Sequence, residues 1–313
     1  MRALDLNLGP TAALAFPPHT VSYYITNFNA AYVENLGYQS GQLGEAGVVA
    51  LHFGSQAILD DGSRGIYNWN MTFHRDSEVA QLAEVFARGY FRGGGGPNYA
   101  RVLIATNNSC SCHDAVAGTW WGYWVNAANA WLADPAANGD QDYSARVQIY
   151  GGDDIEMNFG PPSGFRAFLD AYGAATLYGI YDTGDCGGCP WNDGSTDAAI
   201  NNGWHLSDVW YASWGADAAF PMPEIYYGVG NGDNAHQWKS VSLYSVHTHV
   251  PAYPKLLFDS TLSEWGACYQ TGTCSTGYLT PDQAWQALTD ALNEDPDTAT
   301  TPSFESDVQW TIG

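Results

Sequence analysis

The chain has 313 residues, 45% of them apolar, and 13 Trp, 20 Tyr and 35 Gly, enough for a large packed core and incompatible with wholesale disorder. Ten basic residues stand against 33 acidic ones, and the formal charge of −23 repels phosphate backbones and anionic membrane surfaces, so no nucleic acid partner is expected. No apolar run approaches the length of a membrane span.

The opening "MRALDLNLGPTAALAF" has no charged start followed by a continuous apolar stretch, so it lacks the form of a signal peptide. From there on, short β-branched and aromatic runs alternate with helical patterns, as in α/β folds with parallel strands. The strand candidates are 21–26, 47–53, 100–106, 145–151, 176–182, 208–214, 224–229 and 255–261. Helical patterns occupy 77–91, 114–133, 163–173, 195–202 and 232–245. The last helix has the clearest start: Thr280 as N-cap, Pro281 at the first helical position and Gln283 completing a capping box. "RGGGGPNY" (92–99) reads as a loop, and "NEDPDTATTPS" as an exposed C-terminal tail segment.

Eight strands with interleaved helices predict one domain over residues 1–313, a (β/α)8 TIM barrel with a short N-terminal extension. An open doubly wound sheet is the alternative, but "YYITNFNAAYVE" offers no phosphate-binding glycines after the first strand.

Six cysteines fall in three local pairs: Cys110 with Cys112, Cys186 with Cys189, and Cys268 with Cys274. Even number and close pairing predict disulfides and an oxidising, extracellular location, secreted or at the cell surface. The rival reading is zinc held by the first four with His113 nearby. Two N-x-S/T sequons, at Asn70 and Asn107, agree with secretion.

In such a barrel the reactive residues stand on the loops that follow the strands. Those positions hold Asn27, His52, Gln56, Asn107, Asn108, His113, Asp153, Asp154, Glu156, Asp182, Asp185, Trp214, Tyr226, Tyr227 and Asp259. Amides and acids hydrogen-bond hydroxyls and aromatic faces pack on sugar rings, so a carbohydrate partner is expected. Asn27, Gln56, Asn107, Asp153, Trp214 and Tyr226 are the expected binding residues. The histidines show no metal spacing beyond His247 and His249, read as a solvated helix end, and no EF-hand-like loop appears; no cofactor is expected and no metal ligand is assigned, while calcium at an acidic loop stays open because hard cations favour clustered carboxylates.

"DDIE" (Asp153 to Glu156) resembles the D-x-E signature that closes the fourth strand of chitinase-like and muramidase-like glycoside hydrolases, and "VSYYITNF" is similar to the first strand of chitinase-like barrels. The strand order, the "DIE" and the Gly-Pro helix that follows look like bacterial glycoside-hydrolase-like barrels of unassigned activity. Of the longer signature D-x-x-D-x-D-x-E only the last two acids match, since Ile149 and Gly152 stand at the earlier positions. The resemblance implies a secreted hydrolase of a polysaccharide, with Glu156 as general acid, Asp154 assisting and Asp182 as the partner carboxylate. Glu224 is placed at the start of its strand, on the stabilising face. The alternative is a non-catalytic extracellular barrel that binds glycan or serves a structural role.

Overall fold

A computed structural model describes residues 16–44, 46–94, 99–110, 112–228, 232–248 and 255–311; the expectations for the N-terminal residues 1–15, for loop residues 95–98 and for His249 lie outside the described residues. In chain order the elements are β1 (His19–Tyr24), α1 (Ala30–Leu43), β2 (Gly47–Ile58), β3 (Arg64–Tyr67), β4 (Phe73–Arg75), α2 (Asp76–Gly93), β5 (Ala100–Asn107), α3 (Ala115–Ala133) and the single turn α4 (Pro135–Asn138). There follow β6 (Val147–Asp154), α5 (Phe165–Ala175), β7 (Ile180–Asp182), α6 (Leu206–Trp210) with a π turn (Tyr211–Gly215), β8 (Ala219–Pro221), α7 (Asn234–Thr248), β9 (Ser260–Ser263), α8 (Trp265–Thr271), α9 (Pro281–Asn293) and β10 (Phe304–Trp310).

Eight strands run parallel in the order β8-β7-β6-β5-β2-β1-β10-β9, and a parallel bridge between Glu224 and Leu262 links the two edges into a nearly closed barrel. The predicted TIM-barrel class holds. The antiparallel hairpin β3–β4 extends from β2 on the outside of this ring. Side chains alternate across each strand. Tyr24, Ala50, Leu103, Tyr181, Met222 and Leu262 fill the barrel interior, while the opposite faces pack against the helices through residues such as Phe53, Ile104, Ile149 and Ile180. Each large side chain buried in this way contributes about 1.5–3 kcal/mol.

Three expected elements are corrected. "DVWYASW" (208–214) is α6 and the π turn, because Leu206, Val209 and Trp210 bury at helical spacing and Asp208 accepts the His205 amide at 3.0 Å as a start cap. Of 224–229, the bridges at Glu224 and Tyr227 are the strand pairing seen. The eighth strand is β10, beyond the segment read as a tail. Its buried Glu305 and Asp307 disguise it as polar, but Asp307 accepts from Ser263 Oγ at 2.6 Å and from the Gly266 amide, so the burial is compensated.

The helix expected at 195–202 is reduced to one 3-10 turn at Asn201–Gly203. Helix α1 was not anticipated because its buried stripe, Val33, Gly37, Ser40 and Gly41, is nearly devoid of large apolar residues. Those small residues let α1 lie directly on α2: a Cβ on Gly37 would stand 2.1 Å from the Phe86 carbonyl oxygen. The start of α9 is as expected, with the Thr280 amide donating to Gln283 Oε1 at 3.0 Å. All six cysteines stand in the three local pairs, Cys110–Cys112, Cys186–Cys189 and Cys268–Cys274, with the two sulfurs of each pair close enough to bond.

Candidate functional site

The mouth of the barrel follows from the two-residue repeat of its strands. Gly152 faces inward, where a Cβ would meet Ala105 and Leu103, and Asp154 two residues on shares that face. Met222 and Leu262 are interior residues, and Glu224 and Glu264 follow each by two. Three strand ends remote in sequence therefore aim carboxylates at one place. One oxygen from each of Asp154, Glu156 and Glu224 lies within 4.8 Å of the other two.

Tyrosines hold two of these acids. Tyr226 donates its hydroxyl to Glu224 Oε2, Tyr24 donates to Glu264 Oε1, and Tyr278 donates to Glu264 Oε2 at 3.1 Å. Tyr24 is itself packed between Trp69 and Trp310, with ring centroids 5.0 and 4.6 Å away. Glu156 is placed by its backbone instead: its amide donates to Asn108 Oδ1 and its carbonyl accepts from Asn108 Nδ2, each at 3.0 Å.

Burial, and then mutual repulsion, drive Asp154, Glu156 and Glu224 toward the protonated form, and burial raises Glu264 against its tyrosine hydrogen bonds. Glu156 is pushed up to about 7, by burial first and then by Asp185 and Glu264. Asp154 lies well above the usual carboxylate range, through burial first and then Glu156, Glu264, Asp153 and Asp185. Glu224 is raised in the same way by burial, then Asp154, Glu264 and Glu156. No basic side chain features among the influences on these three groups. Asp154 Oδ1 and Glu224 Oε1 are also buried without a hydrogen-bond partner among the described residues. Buried carboxylate oxygens in that state require a proton or a cation.

The donor set fits a hard divalent ion. Calcium and magnesium take oxygen ligands at about 2.0–2.6 Å, so cis and trans ligands on one ion span oxygen separations up to about 5 Å. Asp154, Glu156 and Glu224 could hold such an ion, with Glu264 and Asp185 close enough to add their charge. Local spacing in the sequence singles out no metal ligands here, because these residues come from two distant segments.

The other expected site residues are distributed elsewhere. Asp182 follows the interior residue Tyr181, so it faces outward beside its register partner Asp153 and does not join Glu156. Asp153 is buried and pairs with His113 Nε2 at 2.8 Å, under Phe165 and Phe168 of α5. Asn27 and Asn107 are turn acceptors, for the Asn29 amide and for Ser109 respectively. Buried Asn107 gives its sequon no exposed side chain. Gln56 is buried toward α3, among Arg64, Asp76, Cys112 and Trp121. Trp214 lies in the π turn against the core, and Asp259 binds Arg101 and Tyr181 before β9, at the opposite end of the barrel. Tyr226 does reach the mouth, through Glu224.

Glu224, assigned from the sequence to the stabilising face, stands instead at the mouth, and Glu264 was not singled out at all. A register in which Met222 is interior would have revealed the first, and placing β9 three residues later would have revealed the second.

The sequence matches no protein-family model and no curated protein. Six solved chains match in structure. One, a crystal structure of a member of the enolase superfamily from Salmonella Typhimurium, aligns with a TM-score of 0.32 and 13% identity, over 86% of this chain and 62% of that one. No activity is carried over from it at that level. The glycoside-hydrolase expectation is corrected at the site itself: Asp182, the carboxylate expected to work with Glu156, faces the helix layer, and no family model or curated protein of that kind matches. The carbohydrate partner is left without support; the barrel stands, and no helix among the described residues is long and apolar enough to cross a membrane.

Proposed function

We propose that this protein is a divalent-cation-dependent enzyme whose ion is held at the barrel mouth by Asp154, Glu156 and Glu224. The observation that carries the reading is the convergence of three carboxylate oxygens within 4.8 Å, two of the residues having a buried oxygen without a partner among the described residues. Its position at the C-terminal ends of the strands, where barrel enzymes place their chemistry, supports a catalytic role. A hard ion there supplies a Lewis acid for a substrate oxygen. Glu264, gripped by Tyr24 and Tyr278, is the group positioned to exchange a proton with substrate.

The test begins with chelator-stripped protein titrated calorimetrically with Mg2+, Mn2+ and Ca2+. Saturable binding to the wild type that weakens at least about a hundredfold in Asp154→Asn and Glu224→Gln is expected from the loss of a charged ligand. Absence of binding by the wild type, or equal binding by both variants, would overturn the cation site. Cation-dependent turnover of a panel of small esters, amides and hydroxy acids, abolished by Glu264→Gln with ion affinity retained, checks the catalytic part.

Three disulfides in a chain without free cysteine favour an oxidising compartment, so we place the protein outside the cytosol, secreted or at a cell surface. Thiol labelling of the protein taken from its own cells tests this; six free thiols in that material would refute it.

A further inference from the structure

A second concave site lies on the outer wall, lined by none of the mouth carboxylates. The β3–β4 hairpin, the start of α2 and one face of α3 enclose a groove of about 350 Å³, walled by Arg64, Arg75, Asp76, Ser77, Trp120 and Trp124. That is within the range of small-ligand sites, about 300–1,000 Å³. Two of the ten basic residues in this acidic chain meet there. Arg64 is anchored by Asp114 at 2.9 Å, and Arg75 is exposed and has no ion pair among the described residues.

Arg64 and Asp76 also border a gap of about 10 Å³ beside the groove, whose other walls include Gln56 and Trp121. That gap admits about one water or one ligand oxygen. Gln56 Nε2 and Trp121 Nε1 are buried donors with no hydrogen-bond partner among the described residues, in residues 5% and 3% exposed. Two orphan donors and two guanidinium groups thus ask for acceptor oxygens. Across the groove, Trp120, 45% exposed, and Trp124 one turn later on α3 offer flat apolar faces.

We propose that this groove binds a small ligand in which a carboxylate is attached to a flat ring, the carboxylate toward Gln56, Trp121 and the two arginines, the ring against Trp120 and Trp124. A planar, singly charged group matches the guanidinium fork. A phosphate ester brings a second negative charge beside Asp76 and Asp114 and is disfavoured. Asp76 itself is held up to about 6, by burial first with Arg64 opposing, so Asp76 competes little with a bound anion at mildly acidic pH.

The probes are benzoate and its neutral isostere benzamide, titrated into the full chain and followed by calorimetry and tryptophan fluorescence. Saturable binding of benzoate is expected, with benzamide weaker by about tenfold or more, the loss of one charge-assisted contact. Arg75→Gln and Trp120→Ala should each weaken benzoate by a similar factor, and Glu224→Gln should leave it unchanged. Both groove residues are exposed, so these variants keep the core, and a wild-type amide spectrum establishes that they fold. Failure of benzoate to saturate the wild type, equal affinity for benzamide, or unaltered binding by Arg75→Gln would each overturn the proposal.

Discussion

Asn108 grips Glu156 by its main chain, its amide group accepting the Glu156 N–H and donating to the Glu156 carbonyl, both at 3.0 Å. A side chain on the loop after β5 thereby sets where the loop after β6 presents its carboxyl. Asn108→Ala removes both bonds at a part-buried site and should cost about 1–3 kcal/mol in urea unfolding. Mn2+ affinity, measured in the same variant, should fall about tenfold as Glu156 loses its placement. Unchanged affinity together with lowered stability would reduce Asn108 to a structural residue.

Behind the mouth, Asp153 is fully buried and is compensated by His113 Nε2 at 2.8 Å. His113→Phe keeps ring packing against Phe165 and Phe168 but leaves the carboxylate uncompensated. A loss of about 3–5 kcal/mol is expected from breaking a buried pair on one side. Adding Asp153→Asn should restore part of it. A double variant no more stable than the single would show that packing, not charge, governs the site.

On α2, burial holds Glu84 up to about 7, with Arg88 partly opposing. A carboxyl raised in the folded state binds its proton more tightly there than in the unfolded chain, so its contribution is fully present below pH 4.5 and is lost as pH rises through about 7. Glu84→Gln should therefore be more stable than the wild type at pH 8 and nearly equal to it at pH 4.5. The difference is expected at about 1 kcal/mol, reduced by solvent screening of a partly exposed group. Thermal unfolding at the two pH values decides it; a gap of equal size at both would exclude the titration of Glu84 as its origin.

Helices α1 and α2 meet through glycine, and a Cβ at Gly37 would stand 2.1 Å from the Phe86 carbonyl oxygen. Gly37→Ala gains helix propensity, yet backbone cannot retreat as a flexible side chain can. Separation of the two helices should cost about 1–3 kcal/mol, a typical overpacking penalty. Gly62→Ala is not a neutral comparison because its φ is +81°, so Gln81→Ala, at an exposed position of α2, serves as the control. A Gly37→Ala protein as stable as the wild type would mean that the helix pair adjusts freely.

Much of the barrel was legible because alternation of apolar strands with amphipathic helices is a local property. β2, β5 and β6 begin or end within a few residues of their expected limits, and the Thr280–Gln283 start signal marks α9. The opposite orientations of Asp153 and Asp154 are local too, following from the two-residue repeat of a strand. Elements lacking that contrast were hidden: β10 carries buried acids, and α1 packs through glycine and serine.

The sequence by itself determined an acidic chain of interleaved strands and helices, three close cysteine pairs and an acid motif at a strand end. Only the tertiary structure decided which acids work together. Closing the edges through Glu224 and Leu262 carries Glu224, 68 residues from Glu156 in the chain, to the Asp154–Glu156 pair and turns Glu264 toward Tyr24. Strand register places Asp182 on the other face, and packing of the β3–β4 hairpin against α2 and α3 gathers Arg64, Arg75 and the α3 tryptophans around one groove. Such convergence depends on barrel closure and strand register, which no local pattern of residue types specifies.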